Sequence, residues 1–277
     1  MRVRLGSVLL FVAVVVPAQS AAAPQLVPVT QGGAALVDGD LREWGGTGWA
    51  KITVKPAVDK AQRSKLGLEP EDKNVTGSIT VELKALTAGG MLFIAARWPD
   101  DAADLDYRPW EWRGGRYAES AKRDDMFAIR FPLEGEFDRS MLSGKSYKAD
   151  LWLWSAGRSN PAGLAEDMMH TVTTRHTDDV AEYQVQEVGT VYIRKQKDAG
   201  KPVYRNLRPT KEKSLERLPS VELTGSAVGS IADVAAKGVW RNGYWNLELA
   251  RKLDTGNIAG LVRHAVRGRS QDFGIAG

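Results

Sequence analysis

The chain has 277 residues, a formal net charge of +4 from 38 basic and 34 acidic side chains, 43% hydrophobic residues and no cysteine. Those proportions belong to a globular chain and not a disordered one, and so small a charge excess argues against nucleic acid as a partner. Zero cysteine excludes disulfides, thiolate metal sites, thiol catalysis, iron–sulfur clusters and covalent c-type haem within this chain.

Residues 1–23 read as a secretory signal peptide. Arg2 and Arg4 form a positive start, residues 9–16 (LLFVAVVV) an apolar run, and residues 18–23 (AQSAAA) a small-residue cleavage region. The apolar run is too short to span a bilayer as a helix. An uncleaved anchor is the alternative. The mature chain, residues 24–277, is expected to be an exported, periplasmic single domain, with a net charge of +2 once Arg2 and Arg4 are removed.

The body reads as strands. Residues 75–83 (VTGSITVEL) alternate, residues 91–98 (MLFIAARW) form a more buried run, and Gly89-Gly90 between them suits a hairpin turn. Residues 126–131 (MFAIRF) alternate again, and Pro132 is expected to end that strand. Residues 149–154 (ADLWLW), 188–194 and 221–224 are further candidates. Residues 198–219 are polar, basic and broken by three prolines. They read as a long surface loop, solvated or used to dock a partner or an anion. Residues 234–239 and 245–250 flank Arg241-Asn242-Gly243, the strongest hairpin signal in the chain. Short strands with turn signals and few short helices predict an all-β antiparallel sandwich.

The three histidines, His170, His176 and His264, offer little. The spacing of six between the first two matches no helix-face metal pair, so each reads as a surface or structural residue. No G-x-S-x-G elbow exists. Asp38-Gly39-Asp40 lacks the rest of an EF-hand loop and reads as a turn. Tryptophan is richer in chemistry. Trp152 and Trp154 share one strand face, Trp240 and Trp245 flank the Asn-Gly turn, and Trp110 and Trp112 sit two apart. They fit an indole-rich core, or a platform for a flat ligand, sugar or porphyrin.

Several segments together resemble a known family. Asp38-Gly39-Asp40-Leu41-Arg42-Glu43-Trp44 resembles the opening of sandwich domains related to family 9 carbohydrate-binding modules. Trp98-Pro99-Asp100, then Arg123-Asp124-Asp125 leading to Phe131-Pro132, follow in order. Met141-Leu142-Ser143-Gly144 precedes Leu151-Trp152-Leu153-Trp154. Ala236-Lys237-Gly238-Val239-Trp240 precedes Gly243-Tyr244-Trp245 and Arg251-Lys252-Leu253. In that order the set is similar to the haem b-binding (gamma) subunit of ethylbenzene dehydrogenase and its relatives in the type II dimethyl-sulfoxide reductase family.

The resemblance implies a non-covalent haem b with methionine and lysine as axial ligands. By motif position these are Met141 and Lys237, with Met168 and Met169 as rival sulfur donors. A thioether favours ferrous iron, and the lysine would have to be neutral to bind. Trp152, Trp154 and Trp240 would line the haem, and Tyr204, Arg205 and Arg251 would meet its propionates. The implied partners are a molybdopterin catalytic subunit, an iron–sulfur subunit and a soluble periplasmic cytochrome c. This chain would carry electrons and would not itself be the catalytic subunit. The tail from Gly260 departs from the family pattern, with only Ala265-Val266 and Gly268 echoing it. Two other readings compete: a carbohydrate-binding module stacking sugars on Trp110, Trp112 or Trp152, and a hydrolase with facing carboxylates.

Overall fold

The structure, a computed structural model, describes residues 27–54, 78–185, 188–256 and 274–276. The expected signal peptide, residues 75–77 of the first expected strand, His264 and tail residues 257–273 lie outside the described residues.

Seventeen strands are described. They are β1 (Val29–Gln31), β2 (Ala50–Val54), β3 (Ile79–Ala88), β4 (Met91–Pro99), β5 (Trp110–Arg113) and β6 (Arg116–Glu119). Next come β7 (Met126–Gly135), β8 (Tyr147–Ser155), β9 (Leu164–Thr173), β10 (Ala181–Val185) and β11 (Gly189–Lys197). The last are β12 (Tyr204–Asn206), β13 (Arg217–Leu218), β14 (Val221–Leu223), β15 (Val234–Arg241), β16 (Tyr244–Lys252) and β17 (Gly274–Ala276). Helix among the described residues is confined to three short 3-10 turns. The all-β expectation is borne out.

Twelve strands form one sheet in the order β1-β3-β4-β16-β15-β9-β8-β7-β17, with β2 on β3, β11 on β9 and β10 on β11. The pairing of β1 with β3 is parallel, and the remaining pairings are antiparallel. The sheet turns over at β9. The start of β9 pairs with β15 through Ala165 and Leu164 only, and its later residues pair with β11. The strands β3, β4, β16 and β15 therefore form one layer, and β9, β8, β7 and β11 the other.

Period-2 side chains from both layers meet in the core. Leu83, Ile94 and Leu247 face Ile129, Phe131, Trp152 and Trp154. The centre is aromatic. Trp98 stacks on Phe127 at 5.3 Å, and Trp154 meets Trp245 edge-on at 5.0 Å. Each such pair adds about 0.5–1.5 kcal/mol to the area it buries.

The Asn-Gly hairpin forms as read, with Asn242 at φ 53° and Gly243 at φ 78°, the two left-handed residues of a type I′ turn. Three expectations are corrected. Proline does not end β7. The strand runs on to Gly135 past a register shift between Pro132 and Glu134, where a bulge accommodates the residue without an amide hydrogen. Residues 198–219 are not all loop. They contribute β12 and β13, and β13 adds to the β5–β6 hairpin in a separate three-stranded sheet. The strand β9 was not expected, because Leu164–Thr173 carries Glu166, Asp167 and His170 across both faces and shows no clean alternation.

Candidate functional site

The opening motif is structural. Asp40 caps the 3-10 turn Leu41–Trp44, whose Trp44 is buried. Glu248, on the outer face of β16, accepts hydrogen bonds from the Gly39 amide at 2.7 Å, the Asp38 amide at 3.0 Å and Trp44 Nε1 at 2.6 Å. Gly39 lies at φ +83° with its α-carbon against the Val239 side chain, a place only glycine fills without strain. Burial raises the Glu248 pKa, opposed by those three donors.

At one end of the core, Arg251 is 0% exposed and bridges the layers. Its Nη1 donates to Asp150 Oδ2 at 2.7 Å on β8 and to Asp167 Oδ1 at 3.2 Å on β9. Burial, then the neighbouring Asp150 charge, pushes the Asp167 carboxyl far above the usual range. Both carboxylates face the one Arg251 guanidinium, and their mutual repulsion favours a proton on Asp167.

The outer face of β7, β8, β9 and β11 is different. Against solvent a sheet face is ordinarily polar, yet here Tyr147, Ala149, Val172, Val191 and Ile193 form a second buried cluster. The loop between β7 and β8 lies on it. From that loop Phe137 packs on Tyr147 at 5.2 Å, and Met141 packs against the same cluster. Arg130, 2% exposed, anchors the loop, its Nη1 donating to Tyr147 Oη at 2.9 Å and its Nη2 to the Arg139 carbonyl.

Beside them on this face is His170, 5% exposed, paired with Ala149 on β8 and Lys195 on β11. Neither of its ring nitrogens has a hydrogen-bond partner among the described residues, and Arg130 Nε likewise has none. Burial, then the Lys195 and Arg130 charges, lowers the His170 pKa to about 4. The imidazole is therefore neutral at physiological pH and keeps a lone pair to offer. At the far end of the face, Tyr204 donates to Glu166 Oε2 at 3.0 Å, Lys197 pairs with Glu166, and Arg158 reaches both Tyr204 and Asp124.

The structure does not bring the expected haem residues together. Trp152 and Trp154 are core residues at 0% exposure, so Trp152 cannot stack on a sugar. Trp240 is tied through Nε1 to the Asp100 carbonyl on the inner side of β15. Arg251 is fully buried and paired with its two aspartates. Arg205 is exposed and paired with Glu222, and Tyr204 belongs to the Glu166 network. Trp110 and Trp112 sit on the small sheet, Trp110 bonded to the Leu207 carbonyl and Trp112 edge-on to Tyr117. Met168 shares the His170 face, packing with Leu151 and Ala128.

The axial pair is also separated. Lys237 pairs with Glu248 and so shares its face, the outer side of β15 and β16 where Trp44 and Gly39 dock. Ala236 and Gly238 on either side of it point into the core. Met141 lies on the outer side of the opposite layer. Both sheets and the core lie between them, and packed sheets stand about 10 Å apart. Met141 and Lys237 therefore do not fit one iron. The face that sequence reasoning missed is the His170 face. Its signal was present, since residues two apart on a strand share a face, but β9 was not read as a strand.

The family model described as Ethylbenzene dehydrogenase matches residues 43–276. The chain belongs to the ethylbenzene dehydrogenase family. Membership makes it a subunit of an ethylbenzene dehydrogenase-like oxidoreductase, associated with other subunits of that assembly. No curated protein matches the chain. On the Met141 face, a half-buried thioether and the buried His170 imidazole lie on the same side of one layer, with Arg130 buried beside them and Lys195 exposed.

Proposed function

We propose that the mature chain is a periplasmic b-type cytochrome subunit. It carries electrons between a molybdopterin and iron–sulfur oxidoreductase, made of other chains, and a soluble cytochrome c. The observation that carries this reading is the family match over residues 43–276. The thioether of Met141, half-buried on the outer face of the β7–β8–β9–β11 layer, is a donor consistent with it. When bound, the haem supplies one-electron chemistry.

The chain's own residues hold and surround it. Met141 offers the soft sulfur that favours the ferrous state. Tyr147, Val172 and Ile193 exclude water and keep the local dielectric low. Arg130 and Lys195 bring positive charge to the same place. The carboxylates do not favour a hydrolase: Asp150 and Asp167 face each other, but at 1% exposure each and locked to Arg251.

The test is an absorption spectrum of the mature protein from a haem-sufficient periplasm, before and after dithionite. A Soret peak and a sharp reduced α-band, with haem extractable into acid acetone, are expected, and Met141→Ala should alter both bands. A colourless protein that also refuses added haemin would overturn the reading.

A further inference from the structure

We propose that the arginine face of the small sheet β13–β5–β6 is the surface by which this chain docks an acidic face of a partner subunit in its oxidoreductase assembly. The partner is taken from the reading above, and nothing in the proposal depends on the haem.

The first observation is where charge lies. Residues 108–123 and 205–217 hold ten basic and four acidic side chains, a net charge of +6, whereas the rest of the mature chain nets −4. The fold brings the two segments together. β13 pairs with β5, the Trp112 amide donates to the Glu216 carbonyl at 2.8 Å, and Tyr117 Oη accepts from the Ser214 and Leu215 amides. One module thus carries the positive pole of a molecule that is otherwise acidic.

The second is how the small sheet sorts its side chains. Directly paired residues share a face. Trp110, Trp112, Tyr117 and Leu218 fall on one face, along which the 207–215 segment receives the Trp110 Nε1 and Tyr117 Oη hydrogen bonds. Arg113, Arg116 and Arg217 fall on the other face with Glu111, and all three arginines are exposed. Arg113 and Arg116 stand directly opposite each other across the Gly114-Gly115 turn, and like charges so placed weaken a strand pair. Glu111 pairs with Arg113 and Asp106 with Arg217, but Arg116 has no hydrogen bond or ion pair among the described residues. A β-carbon at Gly114 or Gly115 would meet nothing within 4 Å, so the hairpin tip stands clear of the other described residues.

A partner's carboxylates would supply the anions this face lacks. Guanidinium forks match carboxylates bidentately, and arginine is enriched at protein interfaces where lysine is depleted. The +6 module would also steer an acidic partner during approach. Family membership supplies the other chains. A lipid surface fits less well, because the arginine face carries no large apolar side chain to enter it.

The experiment measures binding of the full mature chain to the molybdopterin and iron–sulfur subunits isolated from its own host, at sodium chloride from about 20 to about 300 mM. Wild-type binding should weaken steeply with salt. Arg113→Glu with Arg116→Glu should weaken it about 100-fold at low salt and flatten the salt dependence. Arg175→Glu, which reverses an exposed arginine outside the module, should leave it unchanged. Arg116→Gln should weaken binding about tenfold without lowering the melting temperature of the free chain, because it removes a repulsion. A purely structural role would not give that split. In an Arg116→Lys chain, a zero-length carbodiimide should join residue 116 to a carboxylate of a partner subunit. Failure to bind those subunits, binding indifferent to salt and to the double reversal, or no such cross-link overturns the proposal. Attachment to phosphatidylglycerol vesicles in place of those subunits overturns it in favour of a membrane. A chain that takes up no haem yet docks through these arginines overturns the cytochrome reading and leaves the docking surface standing. A haem-bearing chain that docks elsewhere does the reverse.

Discussion

Glu248 shows what a single residue does in this fold. Its carboxylate accepts from two backbone amides and an indole in a segment more than 200 positions earlier in the chain. Glu248→Ala would leave the buried Gly39 amide and the Trp44 indole without this acceptor, at a cost of about 2–3 kcal/mol. Glu248→Gln should cost roughly half as much, since one amide oxygen remains to accept. Urea unfolding monitored by tryptophan fluorescence would show the shifts in midpoint. An unchanged midpoint in Glu248→Ala would mean the opening motif does not dock through this residue. The motif itself was legible in the sequence, but its acceptor was not. A glutamate between Leu247 and Leu249 on a strand carries no sign of which distant amides it will meet.

At the scale of elements, β15 and the 3-10 turn Asn160–Ala162 form a clamp. Asn160 Oδ1 accepts from the Gly238 amide at 2.7 Å and from Trp154 Nε1 at 3.0 Å, while its Nδ2 donates to the Gly238 carbonyl at 3.0 Å. The indole of Trp154 lies against Gly238, so a β-carbon there would strike the ring. Gly238→Ala should destabilise by about 1–3 kcal/mol through overpacking, and a Trp154→Phe background should relieve part of it. A thermal melt of the single and double variants checks this. The glycine after Lys237 was read from the sequence as part of a haem motif. In the structure it serves the packing of a tryptophan. β9 taught the opposite lesson. Its polar residues are buried because they meet partners on other strands, so local patterning could not reveal it, and with it went the face that holds His170.

The whole molecule is two layers tied together at three kinds of place: the aromatic core, the Arg251 triad, and Asp125, which accepts from Trp245 Nε1 at 2.9 Å and from the Asp104 amide at 2.8 Å. Burial raises the Asp125 pKa to about 6, against the usual 3.8. The folded state therefore binds this proton more tightly than the unfolded chain. Its contribution is fully present below pH 4 and is lost as pH rises through 6. Asp125→Asn keeps an oxygen for both donors and removes that loss. It should gain about 1 kcal/mol at pH 8, after allowing for partial solvent contact, and nothing below pH 4. Melts of both proteins across pH 4–8 would show the gain. A gain independent of pH would place its cause elsewhere.

The sequence by itself determined the strand class, the two hairpins at Gly89-Gly90 and Asn242-Gly243, and an ordered set of motifs resembling the family. These are properties of neighbours in the chain, where period-2 alternation and left-handed turn residues act locally. The tertiary structure decided the rest. It put Trp152, Trp154 and Arg251 inside, set Lys237 and Met141 on opposite outer faces, and placed His170 beside Met141. Each depends on how the sheet turns over at β9 and on which loop then covers its outer side. Those pairings join segments far apart in the chain, and a residue's face is fixed only once its partner strand and register are fixed.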